Sequence, residues 1–202
     1  MLTQPNPIPQ AFYTRADVVA IARELLGTVL HTCINGVHTA GIITETEAYR
    51  GLDDKACHAH GRRTARTEVM YHTGGVAYVF LCYGIHHLFN IVTNQADQAD
   101  AVLVRAIEPI KGVAHMLERR NMARLNKRLT TGPGTVCQAM GIDKGHYGAS
   151  LQGPAVWLSH HTSYASNQLV ATTRIGVDYA GNDALRPWRF YPAGCPWVSK
   201  PV

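Results

Sequence analysis

A chain of 202 residues, 46% hydrophobic and only 16% charged, is long and apolar enough to bury a full core, which excludes an intrinsically disordered protein. Nineteen Lys plus Arg against fourteen Asp plus Glu leave a formal net charge of +5, and fourteen of those nineteen are arginine, whose planar fork suits phosphate. This balance favours a nucleic-acid partner without bearing on the fold, while the lack of any apolar run near the ~18 residues of a membrane span excludes a helical membrane protein.

The N-terminal MLTQPNPIPQAF has no basic segment followed by an apolar one, and a cytoplasmic location is expected. Residues 1–11 read as a poorly ordered, Pro-rich lead. Thr14 reads as the N-cap of a helix with Asp17 three positions on; Val18, Ile21, Ala22, Leu25 and Leu26 keep one apolar face, and Gly27 closes it. Thr28–Ile34 and a second β-rich run to Tyr49 are joined by Asn35-Gly36, the strongest short hairpin signal. Residues 50–75 are polar, basic and Gly-punctuated, with short helical turns around 53–60 and 64–70. Val76–Cys82, Leu88–Asn94 and Ala101–Ile110 read as strands, the first two separated by Tyr83-Gly84-Ile85-His86. Gly112–Arg128 carries a helix pattern with a basic outer face of Arg119, Arg120, Arg124, Lys127 and Arg128. Thr131-Gly132-Pro133-Gly134-Thr135 opens a helix through Met140 that stops at Gly141; without a P-loop pattern it reads as a helix start rather than a phosphate cradle. Strands are expected again around 156–160, 169–177 and 188–191. With no repeat, low-complexity tract or linker, residues 1–202 read as one antiparallel-rich α+β domain.

Chemistry concentrates in Thr44-Glu45-Thr46-Glu47-Ala48-Tyr49. Strand alternation projects Glu45, Glu47 and Tyr49 from one face and Thr44, Thr46 and Ala48 from the other, which places two carboxylates and an aromatic on one surface. The five cysteines, at 33, 57, 82, 137 and 195, are odd in number and form no C-x-x-C pair, so neither a disulfide framework nor a zinc ribbon is implied. Eleven histidines fall at spacings such as His58-x-His60 and His86-His87 that match no zinc signature, and no metal or cofactor is expected. No G-x-S-x-G elbow or recognisable catalytic cysteine occurs. A carboxylate, aromatics and arginines remain, a set suited to activating water beside a planar base drawn out of a duplex and held by its phosphates.

The blocks ITETEAYRGLDDKACHAHGRRTAR, AYVFLCYGIHHLFNIV, AVLVRAIEPI, LTTGPGTVCQAMGI and RIGVDYAGNDALRPWRFY, in this order, closely resemble the alkyladenine (3-methyladenine, or methylpurine) DNA glycosylase family from about Phe12 to Ser199. The resemblance implies a compact mixed fold around a curved antiparallel sheet, acting as a monomer on duplex DNA containing damaged purines. One purine nucleotide is flipped out and its N-glycosidic bond hydrolysed. By position, Glu47 matches the general base and Arg105 the arginine that helps hold the water and a phosphate; Tyr83 matches the tyrosine wedged into the duplex. Tyr49 and His58 match the walls of the base pocket, Asn90 the asparagine that disfavours undamaged guanine, and Val177 a main-chain carbonyl facing the water. Ile85, His86, Arg62, Arg63 and Arg66 fall where DNA contacts are expected.

The chain departs from that pattern at Phe80, where better-known members carry a second pocket tyrosine, and at Ile85 and His86, where they carry methionine and tyrosine. The loop through Gly61 and Arg62 is one residue shorter. Glu45 shares the face of Glu47 without an assigned task and reads as structural. No lysine sits in a Schiff-base context, so hydrolysis without strand cleavage is expected. A catalytically silent nucleic-acid-binding module with the same basic surface is the alternative, and a metal-dependent hydrolase a more distant one.

Overall fold

The computed structural model describes residues 5–200. Among them eight strands form one antiparallel sheet: β1 (Val29–Ile34), β2 (Val37–Tyr49), β3 (Ala77–Cys82), β4 (His86–Thr93), β5 (Asp100–Lys111), β6 (Val156–Ser159), β7 (Leu169–Thr172) and β8 (Arg189–Pro192). The order is β3-β4-β5-β2-β1-β6, and β8, which also pairs with β7, joins β2 at Thr46 and Glu47, beyond the reach of β1. The helices are α1 (Gln10–Tyr13), α2 (Val18–Glu24), α3 (Val113–Arg119) and α4 (Pro133–Met140), joined by short 3₁₀ turns, so the α+β expectation holds.

Local chemistry explains the framework. Asn35 and Gly36 both take positive φ, at 52° and 77°, the conformation a two-residue hairpin turn needs and the one Asn-Gly tolerates best. Pro133 starts α4 and Gly141, left-handed at φ 75°, ends it. On β3, β4 and β5, Val79, Phe89, Ile91, Val102 and Val104 point to the main core with Ile21 and Leu25 of α2 and Val136 and Met140 of α4. The alternate residues Tyr78, Val92 and Ala101 point the other way and pack under Cys57, Ala59, Val69 and Met70 of the 50–75 segment. One sheet face is thus covered by helices and the other by loops, where binding sites concentrate.

Several boundaries differ from the sequence reading. Asp17, not Thr14, caps α2, accepting from the amides of Val19 and Ala20, while the Thr14 hydroxyl turns back to the Ala11 carbonyl. The helix expected over 112–128 ends at Arg119, because Asn121 takes φ 49° and leaves the helical path. Its basic face is partly spent inside the protein: Arg119 donates to the Ala139 carbonyl at the end of α4, and Arg120 to Gln138. The run at 169–177 is strand only to Thr172, and 50–75 forms turns with one 3₁₀ segment at Glu68–Tyr71. Residues 5–11, read as part of a loose lead, are docked: Ile8 is fully buried and its amide donates to Leu158. Residues 1–4 lie outside the described residues.

Candidate active site

The loop-covered face of the sheet holds a cavity of about 630 Å³ lined by 24 residues, and a row of register partners runs along its floor and on beyond its wall. Tyr78 pairs with Asn90, Asn90 with Leu103, Leu103 with Glu47, and Glu47 with Arg189, across β3, β4, β5, β2 and β8. Arg105 is placed by a register irregularity. Glu45 faces Ala106 while Thr46 faces Val104, so Arg105 is an extra residue on β5, just as Thr44 is on β2 between the Ile43 and Glu45 pairs. Such bulges re-aim a side chain; here Arg105 lies between Glu45 and Glu47.

Glu47 is 0% exposed and sits just behind the cavity wall. Its Oε2 accepts the Tyr49 hydroxyl at 2.7 Å and its Oε1 the Ile175 amide at 2.8 Å, while Arg105 Nη1 lies 3.3 Å from Oε2. Burial and the Glu47 charge hold the Tyr49 phenol well above its ordinary range, which keeps it a donor. Over the Tyr49 ring, at 4.8 Å, lies the guanidinium of Arg174. Arg174 forks onto Asp54, with Nη2 2.8 Å from Oδ1, and also donates to the carbonyls of Ala48 and Asp183 at 2.9 Å. Both side chains of this pair are fully buried. The pair fixes the loop that delivers the Ile175 amide to Glu47.

The opposite wall is aromatic. His58 Nδ1 lies 3.0 Å from the Tyr78 hydroxyl, and its ring meets Phe80 edge-on with centroids 4.7 Å apart. Burial, reinforced by Arg66 and Arg62, pushes His58 down to about 4, so its imidazole is neutral near neutral pH. Asn90, 4% exposed, donates its amide to the Tyr78 carbonyl at 3.1 Å and is thereby fixed in orientation. Val177 lines the cavity, its carbonyl accepting the Ala180 amide at 2.9 Å. Tyr179, also on the lining, donates to Ala56.

At the cavity mouth, Tyr83 is 89% exposed and left-handed, with φ 51°, at the tip of the β3–β4 hairpin, and Ile85 is 72% exposed beside it. His86 packs against Gly134 so closely that a Cβ there would fall 2.9 Å from its Cγ, which leans the hairpin on the start of α4. Arg66 lies over Phe80, its guanidinium carbon 4.9 Å from the ring centroid, and lines the cavity. Arg62 is exposed. Arg63 behaves differently: its fork is held by Glu68 at 2.5 Å and Asp97 at 2.8 Å above the Tyr71 ring, so its charge is already matched. Of the site residues named from the sequence, nine are among the 24 that line the cavity, and the supports Tyr78, Asp54, Arg174, Ile175 and Arg189 are not among those named. A signal existed for Arg174, which opens the RIGV block, but its partner Asp54 is 120 positions away.

Among the described residues no group of three or more His, Cys, Asp or Glu is placed to hold a metal, and no helix is long and apolar enough to cross a membrane.

The sequence matches the family model for methylpurine-DNA glycosylase over residues 11–196. A protein of Chlamydia felis is 48% identical over 185 residues, covering 91% of this chain and 94% of that protein. One of Bacillus cereus strain B4264 is 42% identical over 203 residues, covering 95% and 98%. Both carry the name "Putative 3-methyladenine DNA glycosylase". A match that spans the helical face, the cavity face and the hairpin of one sheet embraces every element that builds the site, and the chain belongs to the methylpurine-DNA glycosylase family, hydrolases that act on N-glycosyl bonds in DNA.

Proposed function

We propose that this protein acts as a single-domain monomer that turns one damaged purine nucleotide out of duplex DNA and hydrolyses its N-glycosidic bond with water activated by Glu47. The observation that carries the reading is a fully buried carboxylate, held by Tyr49 and Ile175 and flanked by Arg105, just behind the wall that these three residues form in an aromatic cavity of about 630 Å³. That volume falls within the ~300–1,000 Å³ of small-molecule pockets. A carboxylate offers about four lone-pair sites and three neighbours approach this one, so a water can be the fourth, entering where Tyr49, Arg105 and Ile175 meet the cavity. The C1′–N bond breaks with its electron pair passing to the base; the water oxygen bonds to C1′ and its proton passes to Glu47. The Glu47 charge stabilises the oxocarbenium character that develops on the sugar.

The rest of the lining supports the specificity. Tyr49, His58 and Phe80 wall the base, Asn90 crowds the purine 2-position and so disfavours undamaged guanine, whose N-glycosidic bond is not weakened by a positive charge on the ring, and Tyr83 fills the gap in the stack. Among the described residues no carboxylic acid lines the cavity, and His58 is neutral, so nothing there protonates a neutral leaving base. Purines alkylated at N3 or N7 already carry positive charge and leave without an acid. The preferred substrates are therefore 3-methyladenine and 7-methylguanine, ahead of hypoxanthine and ethenoadenine.

The test is base release from four duplexes, one with each of these lesions, followed by heating in alkali. The expected result is release of the two methylated bases at the higher rates, with strands broken only after alkali. Salt-dependent binding without release of any base would instead identify a non-catalytic nucleic-acid-binding protein.

A further inference from the structure

Behind Glu47 lies a second carboxylate that the reaction as described leaves unused. Glu45 is 0% exposed, and its oxygens accept from Arg189 Nη1 at 2.8 Å, the Ser199 amide at 2.7 Å and the Ser199 hydroxyl at 2.9 Å. Burying a carboxylate is costly unless every lone pair is used, and breaking such a pair costs more than the pair itself contributes. Glu45 is nevertheless not saturated by these donors. Its Oε1 also lies 3.6 Å from Nε of Arg105, an atom that is itself buried and without a hydrogen-bond partner.

The result is a line of alternating charges, Arg189, Glu45, Arg105 and Glu47, running through the sheet from β8 to β2, β5 and back to β2. All four are buried: Arg189 is 3% exposed and Arg105 7%. Two positive and two negative charges cancel. Glu47 is already the nearer acid to the Arg105 guanidinium, at 3.3 Å against 3.6 Å for Glu45; without Glu45 nothing would draw the guanidinium the other way, and it would collapse onto the carboxylate that must receive the proton of water. The C-terminal segment belongs to the same device, because Ser199 supplies two of the donors to Glu45, Arg189 also donates to the Lys200 carbonyl at 2.8 Å, and Thr44 donates to the Trp197 carbonyl at 2.6 Å.

We propose that Glu45 is a positioning residue for Arg105: it holds the guanidinium partly away from Glu47, balances the charge there, and is itself held by Arg189 and the segment Trp197–Lys200. This rests on Glu47 being the base. The groups facing Glu47 are Tyr49 from its own strand, Arg105 from β5, Arg189 paired on β8, and Arg174 above Tyr49, so the sign of each change is determined. Removing the Glu45 charge makes these surroundings more positive, and removing that of Arg189 makes them more negative.

The experiment is the pH dependence of single-turnover release of 7-methylguanine. Glu45→Gln lowers the plateau rate on the order of 10- to 100-fold and moves the acid limb to lower pH by about one unit. Arg189→Gln moves the same limb to higher pH. In the double variant Glu45→Gln/Arg189→Gln, where two opposite charges remain, the limb returns toward its wild-type position while the plateau stays low. A limb that stays at the wild-type pH in Arg189→Gln, or a wild-type plateau rate in the double variant, with only thermal stability reduced, overturns the proposal; these two variants decide the matter if Glu45→Gln alone does not fold. Failure of the underlying reading looks different, since Glu47→Gln would then retain base release whatever happens at Glu45.

Discussion

The floor of the cavity and the tip of the β3–β4 hairpin belong to one sheet but have opposite physics. At and beneath the floor, Glu45, Glu47, Arg105, Arg174 and Arg189 are all buried; Arg105 lies between two carboxylates of β2, and each of the others is held by partners from two or more segments. At the tip, Tyr83 and Ile85 project into solvent on a turn whose two central residues, Tyr83 and Gly84, both take positive φ. Charges in a low-dielectric interior interact strongly and need no rearrangement when the reaction occurs, which suits chemistry. Exposed apolar side chains on a short hairpin find their partner only when a duplex arrives, which suits insertion between bases. Variants at the floor are therefore expected to change stability or rate, and variants at the tip affinity.

The largest effect belongs to the Asp54–Arg174 pair. Asp54→Asn leaves a buried guanidinium without its counter-charge, and unfolding monitored by urea or heat should show a loss of about 3–5 kcal/mol. A near-neutral result would mean that the loop carrying Ile175 does not depend on this anchor. Next comes Tyr83→Ala, which should weaken binding to a lesion-containing duplex by about 1–3 kcal/mol. Thermal stability should not change, and binding to undamaged duplex should fall less. Equal losses on both duplexes would erase the distinction between tip and floor.

The smallest effect sits at the pocket wall. His58 stays neutral in the folded protein until about 4, against an ordinary 6.5, because of burial and two nearby arginines. Between those values the unfolded chain takes up a proton that the folded chain refuses, so stability falls as the pH falls through that window. His31 is pushed down to about 4 as well, by burial and by His38 and Lys111. His58→Gln should accordingly flatten part of the slope of stability against pH and leave the share of His31. An unchanged slope would show that His58 is protonated in the native pocket.

What the sequence revealed follows the range of the interactions involved. The Asn35-Gly36 turn, the Gly141 stop and the shared face of Glu45, Glu47 and Tyr49 are set by residues within a few positions of one another, and all three are found where expected. The placement of Arg105 depends on paired irregularities between β2 and β5, which no spacing in either strand announces. Asp54 and Arg174 are separated by 120 positions, and Glu45 and Ser199 by 154, so their meeting is a property of the folded chain. Arg63 illustrates the reverse: three basic residues in one stretch look alike in sequence, and only the approach of Glu68 and Asp97 separates it from Arg66. At the helix after Gly112, the apolar pattern outlasts the helix because Met122, beyond the break at Asn121, still packs against the main core.

The most direct measurement is single-turnover release of 7-methylguanine by Glu47→Gln, with binding to the same duplex measured in parallel. The amide keeps the size of the side chain and an acceptor for the Tyr49 hydroxyl but accepts no proton from water at neutral pH. Release slower by at least 10²–10⁴-fold, the usual contribution of a general base, with binding retained, is the predicted result. Release at the wild-type rate would contradict the account.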